Sequence, residues 1–170
     1  MPTTRKTPAR KTAAKKTATA PAKDAVTMLR ADHKQVSELF AEYEASRSTA
    51  KKKSLVAQIC TELSVHAQVE EEIFYPVVQA ALKDHELVPE ATVEHATLKS
   101  LIAQVEGIEP DGEMFDAKIT VLSEYVKHHV KEEQDEMFPK ARASSLDMKA
   151  LGVQMAARKA QLLDARGKPD

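Results

Sequence analysis

Two stretches of this chain, HAQVEEEIFYP at 66–76 and HVKEEQDEMFP at 129–139, align without a gap at an offset of 63 residues. His66 falls on His129, Glu70 on Glu133, Tyr75 on Phe138 and Pro76 on Pro139. A second pair, ADHKQV around His33 and VEHATL around His95, repeats an acid–His step at an offset of 62. A chain with this internal match is built from one helix pair used twice. Each half offers one histidine from its first helix, then a histidine and a glutamate from its second.

The apolar positions support that reading, because they recur at steps of three and four. The first stripe runs Val26, Leu29, His33, Val36, Phe40, Tyr43. Over about 50–83 it runs Val56, Ile59, Leu63, His66, Glu70, Phe74, Val77. A third helix, about 88–106, carries Ala91, His95, Leu98, Ile102, Val105. The fourth, about 112–142, carries Phe115, Ile119, Leu122, Val126, His129, Glu133, Met137. A shorter fifth helix, about 146–164, with Leu146, Leu151, Met155 and Leu162, is expected to pack outside the others. Only four Gly and no Trp interrupt an Ala-, Leu-, Glu- and Lys-rich composition, which favours helix. Short connections between long helices predict an all-α, up-down-up-down four-helix bundle. Gly107 is the expected stop of the third helix and Asp111 the expected N-cap of the fourth. Pro76 and Pro139 are expected to kink or end their helices.

The chain is electrically divided. Of its 25 basic residues, seven lie in 1–23, where there is no acid, so 18 remain against all 26 acidic residues, a net of −8 for the body. The segment MPTTRKTPARKTAAKKTATAPAK has no apolar side chain larger than valine apart from Met1. Residues 1–23 are therefore expected to be a disordered basic tail, with 24–165 as the folded domain. Such a tail can contact nucleic acid by neutralising phosphates, or can simply solubilise the chain and touch its own acidic body. No apolar run approaches the ~18–20 residues that span a bilayer. With no secretory signal core and a single cysteine, Cys60, the expected location is cytoplasmic. Cys60 sits beside the stripe position Ile59 and reads as a semi-buried packing residue rather than a reactive thiol.

The chemistry follows from what the stripes place inside. Residues four apart on a helix differ by about 40° in direction and about 6 Å in height. His66 and Glu70, and likewise His129 and Glu133, can thus serve one metal cluster together with His33 and His95. His128 has its own glutamate four residues on, but lies about 100° off the stripe and should face solvent or a neighbouring helix. The same test makes Glu71 and Glu72 unsuitable as ligands, and His85 lies in a connection. Burying four imidazoles and two carboxylates unpaired costs several kcal/mol per ion. Two divalent cations offset that charge. Imidazole with carboxylate suits iron, and ligand type alone also admits zinc or manganese.

These residues resemble the haemerythrin-like, or HHE cation-binding, family. The marks are the DH of the first helix, HAQVEEEIFYP, the EH of the third helix and HVKEEQDEMFP, within a resemblance covering about 24–165. The resemblance implies a non-haem di-iron centre, two Fe ions held by His33, His66, Glu70, His95, His129 and Glu133. It implies a small diatomic or peroxide ligand: O₂, nitric oxide or peroxide is bound, sensed or reacted with. Oxygen carriers of the family place a second histidine four residues after the first on the third helix, where this chain has Lys99. They also use an aspartate five residues on in the fourth helix, where this chain has Glu133 at four. Both departures count against reversible O₂ carriage. Lys99 has two readings, a holder of water or an anion near the cluster and a side chain reaching solvent. Peroxidase- or catalase-like turnover, with Tyr43, Tyr75 or Tyr125 as redox partners, and a nucleic-acid role for the tail are the competing functions.

Overall fold

A computed structural model describes residues 23–83 and 85–167. The tail expectation therefore lies outside the described residues, apart from Lys23. The helices are α1 (Ala25–Ala45), α2 (Thr49–Val69), α3 (Tyr75–Leu82), α4 (Leu87–Ala103), α5 (Glu113–Glu132), α6 (Phe138–Ala143) and α7 (Met148–Arg166). Glu70–Phe74 links α2 to α3, and Glu133–Met137 links α5 to α6, each as a π-helical turn. α2–α3 and α5–α6 are thus two long interrupted helices. With α1 and α4 they form the four-helix bundle. α1 packs on α2 and α4 on α5, and contacts of α1 with α5 and of α2 with α4 close the ring.

Local chemistry sets the ends. The Asp24 carboxylate accepts from the Thr27 N–H at 3.0 Å and the Thr27 hydroxyl at 2.7 Å, capping α1. Ser48 caps α2 through the Lys51 N–H, and Asp147 caps α7 through Lys149 and Ala150. Gly107, at φ +71°, is not the stop of α4: the helix ends earlier than expected, at Ala103 with Gln104 as its C-cap, and Gly107 turns the chain four residues beyond. Asp111 is not the cap of α5. Gly112 takes that position, at φ +140°, a conformation that disfavours any residue with a Cβ, and its carbonyl accepts the first bonds from Phe115 and Asp116.

The prolines do not end the helical run: each follows a π-turn that passes directly into a further α segment. In each π-turn the bond closes over five residues, from the Tyr75 N–H to the Glu70 carbonyl and from the Phe138 N–H to the Glu133 carbonyl. Pro76 and Pro139 then fall in the first turn of a new α segment, where a missing N–H is harmless. The extra residue shifts the stripe. Phe74 and Tyr75 are both buried, as are Met137 and Phe138, and burial resumes at Val78 instead of the expected Val77, which is half-buried.

The stripe residues form two apolar clusters. One gathers Val26, Leu29, Val69, Phe74, Phe138 and Met155, and the other Val36, Phe40, Ile59, Leu63, Leu122 and Val126. A polar layer of histidine and glutamate lies between them. α7 lies outside the four-helix ring against α1 and α2, as expected, but at 19 residues it is longer than α4 at 17. Gly152 permits its approach, since a Cβ there would stand 2.1 Å from the Lys23 carbonyl oxygen. Cys60 is fully buried, more so than expected.

Candidate metal centre

All six expected residues meet in the layer between the two apolar clusters. His33 comes from α1, His66 from α2, His95 from α4 and His129 from α5, while Glu70 and Glu133 open the two π-turns. None is more than 7% exposed, and Glu70 and Glu133 are at 0% and 1%. The histidines pair by half. His33 Nε2 stands 3.1 Å from His66 Nε2, and His95 Nε2 stands 3.1 Å from His129 Nε2. Glu70 reaches both pairs, at 3.2 Å from His66 Nε2 and 3.4 Å from His95 Nε2. Glu133 lies 3.2 Å from His33 Nε2 and 3.6 Å from His129 Nε2. Two overlapping donor sets result, His33–His66–Glu70–Glu133 and Glu70–His95–His129, with Glu70 common to both.

Every ring presents Nε2 inward because Nδ1 is tied outward. His66 Nδ1 faces Asp32 at 3.4 Å, His95 Nδ1 faces Glu71 at 3.0 Å and His129 Nδ1 faces Glu94 at 2.6 Å. His33 Nδ1 meets the Gln134 side-chain amide at 3.0 Å. Such outer partners fix the tautomer and orientation of a metal-binding imidazole. Asp32 is held in turn by Lys159 of α7 at 2.8 Å, and Glu71 by Lys99 at 2.7 Å. Lys99 is therefore half-exposed in an ion pair. Glu71 is not among the inward donors, as expected, but it positions one. Glu72 pairs with Arg158 at 2.6 Å, and His128 is exposed on the outer face.

The electrostatics couple buried imidazoles to buried carboxylates. Burial disfavours a charge on His66, yet Glu70, Asp32 and Glu133 outweigh it and push the ring's pKa up to about 10. Burial likewise works against ionised Glu70, and His66 and His95 overcome it, holding the carboxyl well below its usual range. His129 is raised against burial by Glu133, Glu94 and Glu70. Even so, Glu70 Oε1 and Glu133 Oε2 are buried and face His66 Nε2 and His33 Nε2 at 3.2 Å without forming a well-directed hydrogen bond. Buried carboxylate oxygens without a well-directed hydrogen bond are costly, and the inward imidazoles beside them complete a donor set that divalent cations fit.

Tyr75 is the residue that sequence reasoning undervalued. Its hydroxyl donates to Glu133 Oε1 at 2.7 Å and stands 3.1 Å from His95 Nε2 and 3.3 Å from Glu70 Oε2. Burial beside Glu70 and Glu133 raises its pKa well above normal. The signal was its alignment with Phe138, a hydroxyl present in only one of two matched halves. The acid–His step likewise marked Asp32 and Glu94, whereas nothing local marks Lys159. Tyr43 donates to Asp116 at 2.6 Å, away from the centre, and Tyr125 is exposed.

The fold and site define a four-helix bundle with a buried histidine–carboxylate centre. The sequence profile of the Hemerythrin HHE cation binding domain matches residues 24–141. The chain belongs to this haemerythrin-like, HHE cation-binding family. A crystal structure of a hemerythrin HHE cation binding domain-containing protein from Mycobacterium kansasii has the same fold, with a TM-score of 0.71 at 20% identity over 84% of this chain and 88% of that one. A protein of Nostoc sp. named DNA nickase is 30% identical over 115 residues, 68% of this chain. The match covers 32% of that relative, so this chain spans about a third of its length. Among the described residues no helix is long and apolar enough to cross a membrane.

Proposed function

We propose that residues 24–165 form a cytoplasmic, non-haem di-iron domain that binds, senses or reacts with O₂, nitric oxide or peroxide. His33, His66, Glu70, His95, His129 and Glu133 would hold the ions, with Glu70 and Glu133 each within reach of one histidine from both pairs. The observation that carries this is the convergence of four inward Nε2 atoms on two buried carboxylate oxygens that lack a well-directed hydrogen bond. Two iron ions would supply electrons and open coordination positions for a small oxidant. The chain's own residues do the rest. Asp32, Glu71, Glu94 and Gln134 orient the rings. Tyr75 holds a proton 2.7 Å from Glu133. Beside the four histidines, Leu63, Leu98, Ile102 and Val126 help to line a cavity of about 20 Å³. That is room for about one water-sized molecule, which suits a diatomic ligand. The test is absorption spectroscopy of the ferrous-loaded protein on admission of air or nitric oxide. A new charge-transfer band is expected, absent from the His95→Ala variant. A wild-type spectrum unchanged by either gas contradicts the reading.

Peroxide turnover at the same centre is the enzymatic form of this function, and its loss in His66→Ala and Glu70→Ala is expected. A nucleic-acid role has separate support, from the basic segment 1–23 and from the similarity to a protein named DNA nickase. Deleting 1–23 is then expected to abolish DNA retention, which in the full chain weakens steeply with salt. Equal retention without the segment contradicts it.

A further inference from the structure

Three carboxylates stand behind the inner histidines, and two of them have a lysine outside. Asp32 has Lys159 and Glu71 has Lys99. Glu94, behind His129, differs. Among the described residues no lysine or arginine pairs with it. Its outer oxygen, Oε1, instead faces His128 Nε2 at 3.2 Å, and His128 Nε2 lies 3.3 Å from Glu132 Oε1. The internal duplication explains the difference. Glu94 corresponds to Asp32 at an offset of 62, but Lys159 comes from α7, a helix outside the duplicated pair. Two carboxylates and an imidazole therefore stand where the first half has a fixed cation. Glu90 and Glu124 line the adjoining surface and deepen the negative field.

The geometry suits a metal. His128 and Glu132 are four apart on α5, Glu94 faces them from α4, and the three donor atoms lie within 4.8 Å of one another. Bonds of about 2.0–2.1 Å to a tetrahedral zinc ion put neighbouring ligands roughly 3.3–3.5 Å apart, close to the two distances seen. His128 is 61% exposed, so the position is reached directly from solvent. We propose that Glu94, His128 and Glu132 form a surface site for a divalent transition cation of the zinc class, outside the buried centre and joined to it through Glu94, whose other oxygen holds His129. The cation takes the place that Lys159 fills in the first half, and water completes its coordination.

The test is equilibrium dialysis of the full chain, already loaded with ferrous iron, against micromolar Zn²⁺. Wild type is expected to take up one more equivalent of zinc than His128→Ala, and Glu132→Gln to weaken that uptake by about tenfold or more. Iron content stays the same in these variants, and His85→Ala, which removes another exposed histidine, behaves as wild type. Equal uptake by wild type and His128→Ala overturns the proposal, as does loss of the extra equivalent in His85→Ala. Because the readout is a difference between wild type and His128→Ala, it stands or falls independently of what the buried centre holds.

Discussion

At the residue scale, the centre is shaped as much by what holds the histidines as by the histidines themselves. An inward Nε2 requires a partner at Nδ1, and Asp32 provides one for His66. Asp32→Ala is expected to lower iron affinity by about 10–100-fold, the usual effect of losing such a partner, measured by competition with a chelator. Unchanged affinity would mean that packing alone orients the ring. Cys60 makes the opposite case, a chemically capable group kept inert. Burial, with Glu106 nearby and Arg166 opposing, pushes its thiol up to about 12. At pH 8 the thiolate is then on the order of one part in ten thousand. Iodoacetamide is expected to leave the native protein unlabelled at pH 8 and to label it fully in denaturant. Rapid native labelling would show that the α2 environment opens easily.

At the scale of elements, caps and π-turns decide where helices start and which side chains reach the core. Asp24→Ala removes the α1 cap and is expected to cost about 1 kcal/mol, read as a lower Tm. Burial pushes the Asp24 carboxyl up, but Thr27 and Arg142 outweigh it and lower its pKa from 3.8. A lowered carboxyl stabilises the fold above its unfolded value and loses that effect as pH falls through the folded value. The gap between wild type and Asp24→Ala should therefore be full at pH 7 and close below pH 3.8; a gap independent of pH would exclude the ionised cap. Elements were also where sequence reasoning reached its limit. Helical spacing marked the four long helices and placed His33, His66, His95 and His129 inward. It could not register the π-turns, because one additional residue within a turn preserves the apolar pattern on both sides and moves burial only from Val77 to Val78. Proline at 76 and 139 therefore read as a break. Asp111 read as a cap because the positive φ that selects Gly112 is not visible in composition.

At the scale of the whole molecule, α7 joins the centre to the outside of the bundle. Lys159 is 127 positions from Asp32 in the chain, a separation that no local pattern reveals. Its hold on Asp32 depends on the close approach at Gly152, where a Cβ would collide with backbone at the start of α1. Gly152→Ala is expected to cost about 1–3 kcal/mol and to weaken iron retention as well, since α7 carries the lysine that steadies His66 through Asp32. A stable variant with unaltered retention would show that α7 is only a cover. The duplicated helix pairs were legible as such, and with them the six inward donors. The asymmetries were only partly so: the Tyr75–Phe138 mismatch and the His128–Glu132 spacing stand in the sequence, whereas the reach of Lys159 to Asp32 and of Glu94 to His128 exists only in the fold.

The central claim is that two matched donor sets, sharing Glu70, hold two ions in one bundle. The most direct measurement is the iron-to-protein ratio after anaerobic loading with ferrous iron and a chelator wash that strips surface metal. The account predicts two irons per wild-type chain and at most one in Glu70→Ala. A wild-type chain that retains no iron, or a Glu70→Ala variant that retains both, contradicts it.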